Sequence, residues 1–210
     1  MEIHAPHGSI GSVREFLVHL AIITIGVLIA LSLEGCTEWM HHRSLVREAR
    51  ANIANELRDN KGEIDRQIAG ISKMGNELNV ALDVIEDLRA HGRTDAKSFS
   101  LTYQAAQLST ASRSTAEATG ALGYMDYAEV KRYATVYDLQ DQFVRQQERL
   151  FEDWVPVLNA THQKKLEDLT PAELDDWKRQ TLTAISYVQV ESGFATALSK
   201  AYERALQGGD

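Results

Sequence analysis

Residues 16–33 read FLVHLAIITIGVLIALSL, a run of 18 residues that contains no Asp, Glu, Lys or Arg. As a helix rising about 1.5 Å per residue, this run spans roughly 27 Å, close to the hydrocarbon thickness of a bilayer. Arg14 and Glu15 precede the run, and Glu34 and Glu38 follow it. The pattern predicts one N-terminal transmembrane helix.

Two other interpretations of the apolar run stay open. A buried helix of a soluble protein could be this apolar, although such helices rarely stay apolar on every face for five turns. A cleaved signal peptide is the second alternative, and Leu33-Glu34-Gly35-Cys36 loosely resembles a lipoprotein processing site. The run is longer than a usual signal core, and a charged Glu two residues before the cysteine is atypical of lipoproteins.

One stripe of the predicted membrane helix carries small residues. His19, Gly26 and Ala30 fall on it together with Ile23 and Leu33. Gly26 and Ala30 form a small-xxx-small pair, which lets another helix approach closely, and His19 is an ionisable group near the membrane boundary. These residues predict a contact with a second copy or with another membrane protein, although small residues are also common in membrane helices generally.

The arginine distribution predicts the orientation. Arg14 is the only Lys or Arg before the apolar run, whereas Arg43, Arg47 and Arg50 follow it closely. The positive-inside rule therefore places the larger part of the chain on the cytoplasmic side of an inner (cytoplasmic) membrane. A periplasmic placement stays open because the N-terminal tail is short and the difference in charge is small.

Composition limits the remaining possibilities. The chain has 210 residues, one cysteine (Cys36), three prolines and 13 glycines, and its net charge is −8. A single cysteine excludes an intramolecular disulfide, and few prolines and glycines favour long helices. The acidic balance disfavours nucleic acid as a partner, because an acidic domain repels the phosphate backbone.

The rest of the sequence predicts helices. Residues 37–89 contain no proline and show a heptad seam, with Gly92 as a C-cap. Residues 96–123 predict one or two short helices. Asp126 is expected to cap a helix that reaches about Trp154 before Pro156 kinks or ends it, and Glu129 is expected to reach back to that cap. The predicted seam consists of Ile64, Ile68, Ile71, Gly75, Leu78, Leu82 and Ile85.

A last helix is predicted from the sequence Thr170-Pro171-Ala172-Glu173, a capping box with proline at the first helical position. No segment alternates with the period of a strand. The sequence therefore predicts an all-α protein: a tail at residues 1–15, a transmembrane helix at 16–36, and an antiparallel bundle of four or five helices at 37–207. The first bundle helix should be continuous with the membrane helix.

Two blocks of sequence resemble a known family. They are Gly26–Arg50, GVLIALSLEGCTEWMHHRSLVREAR, and Gly120–Gln140, GALGYMDYAEVKRYATVYDLQ. They resemble a family of uncharacterised bacterial single-pass membrane proteins, a domain of unknown function. In that family an anchor ending in G-V-L-I-A-L runs into a Trp- and Arg-rich helix, and a small-residue turn precedes a helix with spaced tyrosines. The resemblance implies the architecture and a bacterial origin, but it transfers no activity and no catalytic residue.

Candidate chemical sites are few. Glu38, His41 and His42 could share one helix face and ligate a transition metal, but no second ligand pair has matching spacing, and their position also suits residues at a membrane interface. We therefore predict no metal and no cofactor. Nucleotide-binding glycine motifs and serine-nucleophile motifs are absent from the sequence, and no enzyme activity is predicted.

Tyrosines form the densest aromatic cluster. Tyr133 and Tyr137 are four residues apart on a predicted helix, with Tyr124 and Tyr127 just before them. A tyrosine has an apolar ring and a polar tip, which suits either a ligand or partner surface or packing between helices. Both interpretations stay open for Tyr133 and Tyr137.

The function predicted from these features is a membrane-anchored helical interaction or scaffold protein. It should associate with itself or serve a membrane partner, with the lipid bilayer as its other contact. The alternative is a ligand-binding sensor bundle that signals through a partner, since a bundle continuous with a membrane helix can transmit small helix shifts.

Overall fold

The computed structural model describes residues 13–94, 99–162 and 164–207. No strand occurs among these residues, and the predicted all-α class is confirmed. Residues 1–12 of the predicted tail lie outside the described ranges. The described helices are α1 (Val13–His91), α2 (Ala111–Ala118), α3 (Tyr127–His162) and α4 (Pro171–Gln207), with 3₁₀ turns at Ala121–Tyr124 and Leu166–Asp168.

The chain divides into two compact units, Met1–Glu48 and Ala49–Asp210. In the N-terminal unit the described residues belong to α1, and Phe16 to Leu33 are all exposed. The most apolar 18-residue window of this helix has none of its residues buried, and by length and composition it could cross a membrane. The hydropathy prediction is confirmed to that extent.

The C-terminal unit is built on α3, α4 and residues 49–91 of α1. Polar pairs give the helix directions: residue numbers rise together in α1 and α3, whereas α4 runs opposite to both. The predicted antiparallel arrangement is therefore wrong for α1 and α3, which are parallel. The pairs are Arg50 with Glu129, Asn60 with Gln140, Asp65 with Ser199, and Glu86 with Lys178.

Each long helix of this unit buries a heptad seam, with steps of three and four residues. The α1 seam contains Leu57, Asn60, Ile64, Gln67, Ile71, Met74, Leu78, Ala81, Ile85 and Leu88. The α3 seam contains Val136, Gln140, Phe143, Gln147, Leu150, Trp154 and Val157. The α4 seam contains Leu174, Trp177, Thr181, Ala184, Val188, Glu191, Ala195, Leu198, Tyr202 and Ala205.

The predicted α1 seam was half correct. Four of its seven positions are buried, namely Ile64, Ile71, Leu78 and Ile85. At each of the three positions between them, the buried residue is the one immediately before the predicted residue. Gln67, Met74 and Ala81 are buried there, while Ile68 and Leu82 are only half-buried. A hydropathy pattern favours isoleucine over glutamine. Here Gln67 is buried because its amide donates a 2.8 Å hydrogen bond to a backbone carbonyl, which offsets the cost of removing it from water.

Residues 99–110 are not helical, contrary to part of the prediction for residues 96–123. We call them the strap. The strap and the start of α2 run antiparallel to α1: Thr102 bonds Glu77, and Ser112 bonds Glu56. The 21 residues of α1 between Glu56 and Glu77 cover roughly 31 Å as a helix. The chain from Thr102 to Ser112 covers the same distance in ten residues, which only a largely extended chain can do. The strap thus replaces the second helix of a four-membered bundle. Residues 96–98 of the prediction lie outside the described residues.

The helix ends follow local rules. Gly92, with φ +65°, ends α1, and its N–H donates to the Leu88 carbonyl at 2.9 Å, as the predicted C-cap requires. At the start of α4, Glu173 Oε2 accepts from both the backbone N–H and the hydroxyl of Thr170 at 2.8 Å. The predicted capping box is confirmed.

The structure corrects one prediction for α3, the contact of Glu129 with the cap, and excludes one of the two alternatives for Pro156, an end of the helix there. Asp126 caps the helix as expected, accepting from the Ala128 N–H at 2.8 Å, but Glu129 binds Arg50 instead of reaching back to the cap. Pro156 lies inside α3, which continues to His162. The residue four positions earlier, Glu152, is exposed, so the backbone carbonyl left without its helical donor lies on the solvent side of the helix.

Candidate functional site

The predicted membrane-helix stripe is open in this chain. His19, Gly26 and Ala30 are all exposed. Apart from the neighbouring residues and the backbone of the same helix, no atom lies within 4 Å of where a Cβ on Gly26 would stand. The Nδ1 atom of His19 donates to the Glu15 carbonyl at 2.8 Å, within the same helix. A face of this kind is free to accept another helix, and the predicted contact stays a prediction.

The possible metal ligands remain on an exposed stretch of α1. Glu38 and His41 are exposed, and the rings of His41 and His42 lie 5.9 Å apart. Within the described ranges, no three His, Cys, Asp or Glu side chains are grouped so that they could hold a metal ion.

The two predicted tyrosines occupy different environments. Tyr137 is 0% exposed and takes the core-packing alternative, so it offers no surface to a partner. Tyr133 is half-buried and lines a groove on the C-terminal unit, so the ligand or partner interpretation continues to apply to it.

We call this groove the arginine groove. Its volume is about 490 Å³, within the range of small-molecule sites. Helix α1 forms one wall, the start of α3 a second, and the end of α4 closes it. The lining residues are Arg50, Ala54, Leu57 and Arg58 from α1, Asp126, Glu129, Arg132 and Tyr133 from α3 and its cap, and Ala205 and Leu206 from α4.

An ion pair joins the two longer walls of the groove. The Arg50 guanidinium donates two hydrogen bonds to the Glu129 carboxylate, from Nε at 2.8 Å and from Nη2 at 2.6 Å. The Tyr133 hydroxyl donates a third bond to the same carboxylate at 3.1 Å. The hydrogen bond from Arg50 holds the pKa of Glu129 below its usual value. Burial, together with the neighbouring Glu129 charge, raises the pKa of Tyr133 to about 12. Glu129 is therefore ionised and fully engaged at neutral pH.

A second carboxylate lies deeper, at Glu56. Its Oε1 accepts from the Tyr137 hydroxyl at 2.5 Å, and its Oε2 accepts from the Ser109 hydroxyl and the Ser112 N–H, both at 2.8 Å. Burial alone would raise the pKa of Glu56, but these donors outweigh it and the pKa lies below the ordinary value. Glu56 thus ties α1 to α3 and to the start of α2.

The end of the strap is held by a buried layer of amides. The Asn60 side chain hydrogen-bonds both backbone groups of Ser109: it donates to the carbonyl at 2.8 Å and accepts from the N–H at 2.9 Å. Gln140 donates to the same carbonyl at 3.1 Å and accepts from the Tyr202 hydroxyl at 2.7 Å. All three long helices therefore contribute to one polar layer, in which α1 and α3 bind the strap and α4 binds Gln140.

The middle of the strap is held in the same way. Gln147 accepts from the Ala106 N–H at 2.8 Å and donates to the Ala106 carbonyl at 3.1 Å. Gln67 donates to the Gln104 carbonyl at 2.8 Å, and the Tyr103 hydroxyl donates back to the Gln147 carbonyl at 2.8 Å. Paired amides recognise backbone groups, so they fix an extended segment that has no helical hydrogen bonds of its own.

Glu191 is the exception among these buried polar groups. It is 0% exposed in the α4 seam, and neither carboxylate oxygen has a hydrogen-bond partner among the described residues. Gln67 is close enough to lower the pKa of Glu191, but the Gln67 amide nitrogen already donates to the strap. Burial dominates and raises the pKa of Glu191 to about 7.

Sequence reasoning missed most of these groups because it searched for apolar residues. A usable signal was present: Asn60 and Gln67 are seven residues apart, and so are Gln140 and Gln147. Polar residues repeated at the heptad period mark polar layers of a bundle. Glu191 carries no comparable signal.

Comparison with protein-family models, with curated proteins and with solved structures finds no match to this chain. The function therefore has to be inferred from the chain's own residues.

Proposed function

We propose that this protein is a membrane-anchored helical interaction or scaffold protein of a bacterial inner membrane. The observation that carries the proposal is the fully exposed apolar window of α1, which belongs to one compact unit while a packed helical bundle forms the other. An isolated helix that exposes an 18-residue window of this hydropathy is poorly soluble, and a lipid bilayer supplies the environment it needs.

The polar groups of the C-terminal unit also favour an interaction role. Gln140, Gln147 and Glu56 bond to other side chains or to the backbone at Ala106, Ser109 and Ser112, so they are committed to holding the chain in one shape. A rigid bundle of this kind suits the presentation of a surface to a second copy or to a membrane partner.

Membrane insertion is tested with the full-length chain expressed in bacteria. Alkaline carbonate extraction of the membrane fraction should leave the protein in the pellet. Replacing Leu28 by Arg should release it, since a charge at the centre of the helix costs about 2.5–3.5 kcal/mol on insertion scales. Recovery of the wild-type chain in the soluble fraction would refute the anchor.

Self-association is tested by chemical cross-linking in a mild detergent. Gly26→Leu should abolish a cross-linked species, because the larger side chain keeps the facing helix away. Gly35→Leu is the matched control: it makes the same change on the opposite side of the helix, about two and a half turns away. A wild-type chain that stays monomeric and purifies with no other protein would contradict the interaction role.

Orientation is tested by fusing alkaline phosphatase or green fluorescent protein after Asp210. We expect fluorescence without phosphatase activity, which places the bundle in the cytoplasm. Phosphatase activity without fluorescence would place it in the periplasm.

A second function, a ligand-binding sensor, is favoured by one observation: the arginine groove, with Tyr133 in its wall. In that case the bundle would bind a small molecule and signal through a membrane partner. A small-molecule thermal shift that is lost in Tyr133→Ala would support it, and a broad metabolite screen without a shift would count against it.

A further inference from the structure

The acidic side chains of the arginine groove are already engaged. Glu129 is held by Arg50 and Tyr133, and Asp126 accepts from the backbone N–H of Ala128 at the start of α3. Glu129 is therefore not free to pair with a further cation, whereas Asp126 keeps its negative charge. With Arg50, Arg58 and Arg132 the lining carries three positive and two negative charges, so positive charge is in excess. Both acids hold the walls of the groove in position: Glu129 binds Arg50 across it, and Asp126 caps α3.

Two guanidinium groups of the groove lack an acidic partner among the described residues. Arg58, on α1, bonds only the neutral amide oxygen of Asn55. Arg132, on α3, forms no ion pair within those ranges, and its charge acts on the neighbouring Glu129. Two arginines on facing helices, each with free N–H donors, are suited to a planar or tetrahedral oxyanion, which guanidinium binds through paired hydrogen bonds.

The floor of the groove is apolar. Ala54, Leu57, Ala205 and Leu206 line it between the charged walls. A cavity of about 490 Å³ is too large for a bare phosphate and is within the size range of small organic ligands. The lining therefore suits a molecule with one charged end and one apolar end.

We propose that the arginine groove binds a small organic oxyanion, a phosphate monoester or a carboxylate carrying a compact apolar group, with Arg58 and Arg132 on the anion and the apolar group on the alanine and leucine floor. The proposal gives a ligand class to the sensor function. It does not depend on the membrane anchor, because every lining residue belongs to the C-terminal unit.

The test uses the full-length chain in a detergent with a neutral head group. Phenyl phosphate, benzoate and the short-chain lipid dihexanoyl phosphatidic acid are titrated by isothermal calorimetry, with benzyl alcohol as the uncharged probe. We expect at least one anion to bind and benzyl alcohol to bind much more weakly. Binding of the phenyl anions indicates a soluble ligand, whereas binding of the lipid alone indicates a phospholipid head group.

The variants Arg58→Gln and Arg132→Gln should each weaken binding roughly tenfold or more, as expected for the loss of a charge-assisted hydrogen bond. Arg145→Gln is the matched control, since Arg145 is exposed on the same helix as Arg132 and does not line the groove. Thermal midpoints of all variants establish that each is folded. The proposal is overturned if no anion binds the wild-type chain, or if a folded double variant binds as tightly as the control.

Discussion

The hydroxyl of Tyr137 donates a 2.5 Å hydrogen bond to Oε1 of Glu56, and the two residues are 81 positions apart in the chain. The bond is buried and connects α3 to α1. The other oxygen of the same carboxylate binds Ser109 and Ser112, at the junction of the strap and α2. One carboxylate thus joins three segments of the bundle, which explains why a tyrosine at this position is fully buried.

Tyr137→Phe should destabilise the C-terminal unit. It removes the donor and leaves a buried carboxylate oxygen unpaired, which costs about 1–3 kcal/mol. The free energy of unfolding, from urea titration followed by circular dichroism, measures the loss. Tyr133→Phe is the control, because its hydroxyl adds a longer bond to a carboxylate that Arg50 already holds. Equal losses in the two variants would contradict the role given to Glu56.

Glu191 should make stability depend on pH near neutrality. Its pKa rises from 4.5 to about 7 on folding. The folded state therefore binds the proton more tightly than the unfolded state does. The resulting contribution to the free energy of unfolding is fully present below pH 4.5, and it is lost as pH rises through 7. The difference between these two pKa values corresponds to about 3 kcal/mol. The polar groups beside Glu191 are Gln67 on α1 and Tyr103 on the strap.

Glu191→Gln isolates this effect, because glutamine has nearly the same shape and carries no charge. The variant and the wild type should have similar free energies of unfolding near pH 5, and the variant should be the more stable by a few kcal/mol near pH 9. A difference that stays constant between pH 5 and pH 9 would show that Glu191 does not titrate in this range.

Gln147→Leu should loosen the strap. The substitution leaves the Ala106 N–H and carbonyl unpaired in a buried position, at a cost of about 2–4 kcal/mol for the two groups. Hydrogen exchange at the Ala106 amide should accelerate more than exchange in the middle of α4. Gln142→Leu is the matched control on the same helix, since within the described ranges Gln142 bonds only Asp138, a residue of α3 itself. Unchanged exchange at Ala106 would mean that the amide pair does not hold the strap.

Two glycines should respond in opposite ways to alanine. Gly120 has φ +74°, so an alanine there is strained and should destabilise the protein by about 1–2 kcal/mol. Gly62 lies inside α1, and the nearest atom to an added Cβ is the end of the Arg66 side chain at 3.9 Å. Gly62→Ala should therefore stabilise by about 0.5–1 kcal/mol through helix propensity. Thermal unfolding of the two variants and the wild type measures both changes in stability.

The sequence by itself determined the features that depend on near neighbours. The apolar run at 16–33, the all-α class, the end of α1 at Gly92 and the capping box at Thr170 could all be predicted, because each depends on residues within a turn or two of helix. Asp126 and Pro171 mark helix starts for the same reason. The places where these predictions failed are those where a distant residue competes for the same group, as when Arg50 draws Glu129 away from its cap.

Only the tertiary structure decided the rest. Residues 99–110 contain good helix formers, yet they form an extended strap, because Asn60 and Gln147 on two different helices bind its backbone. From the sequence, Glu191 is expected at the surface, yet it lies in the core. The packing of the facing helices decides which residues of α4 are buried. Hydropathy measures the cost of burying a side chain, whereas a hydrogen bond from another part of the chain can offset that cost, and no local pattern reports such a partner.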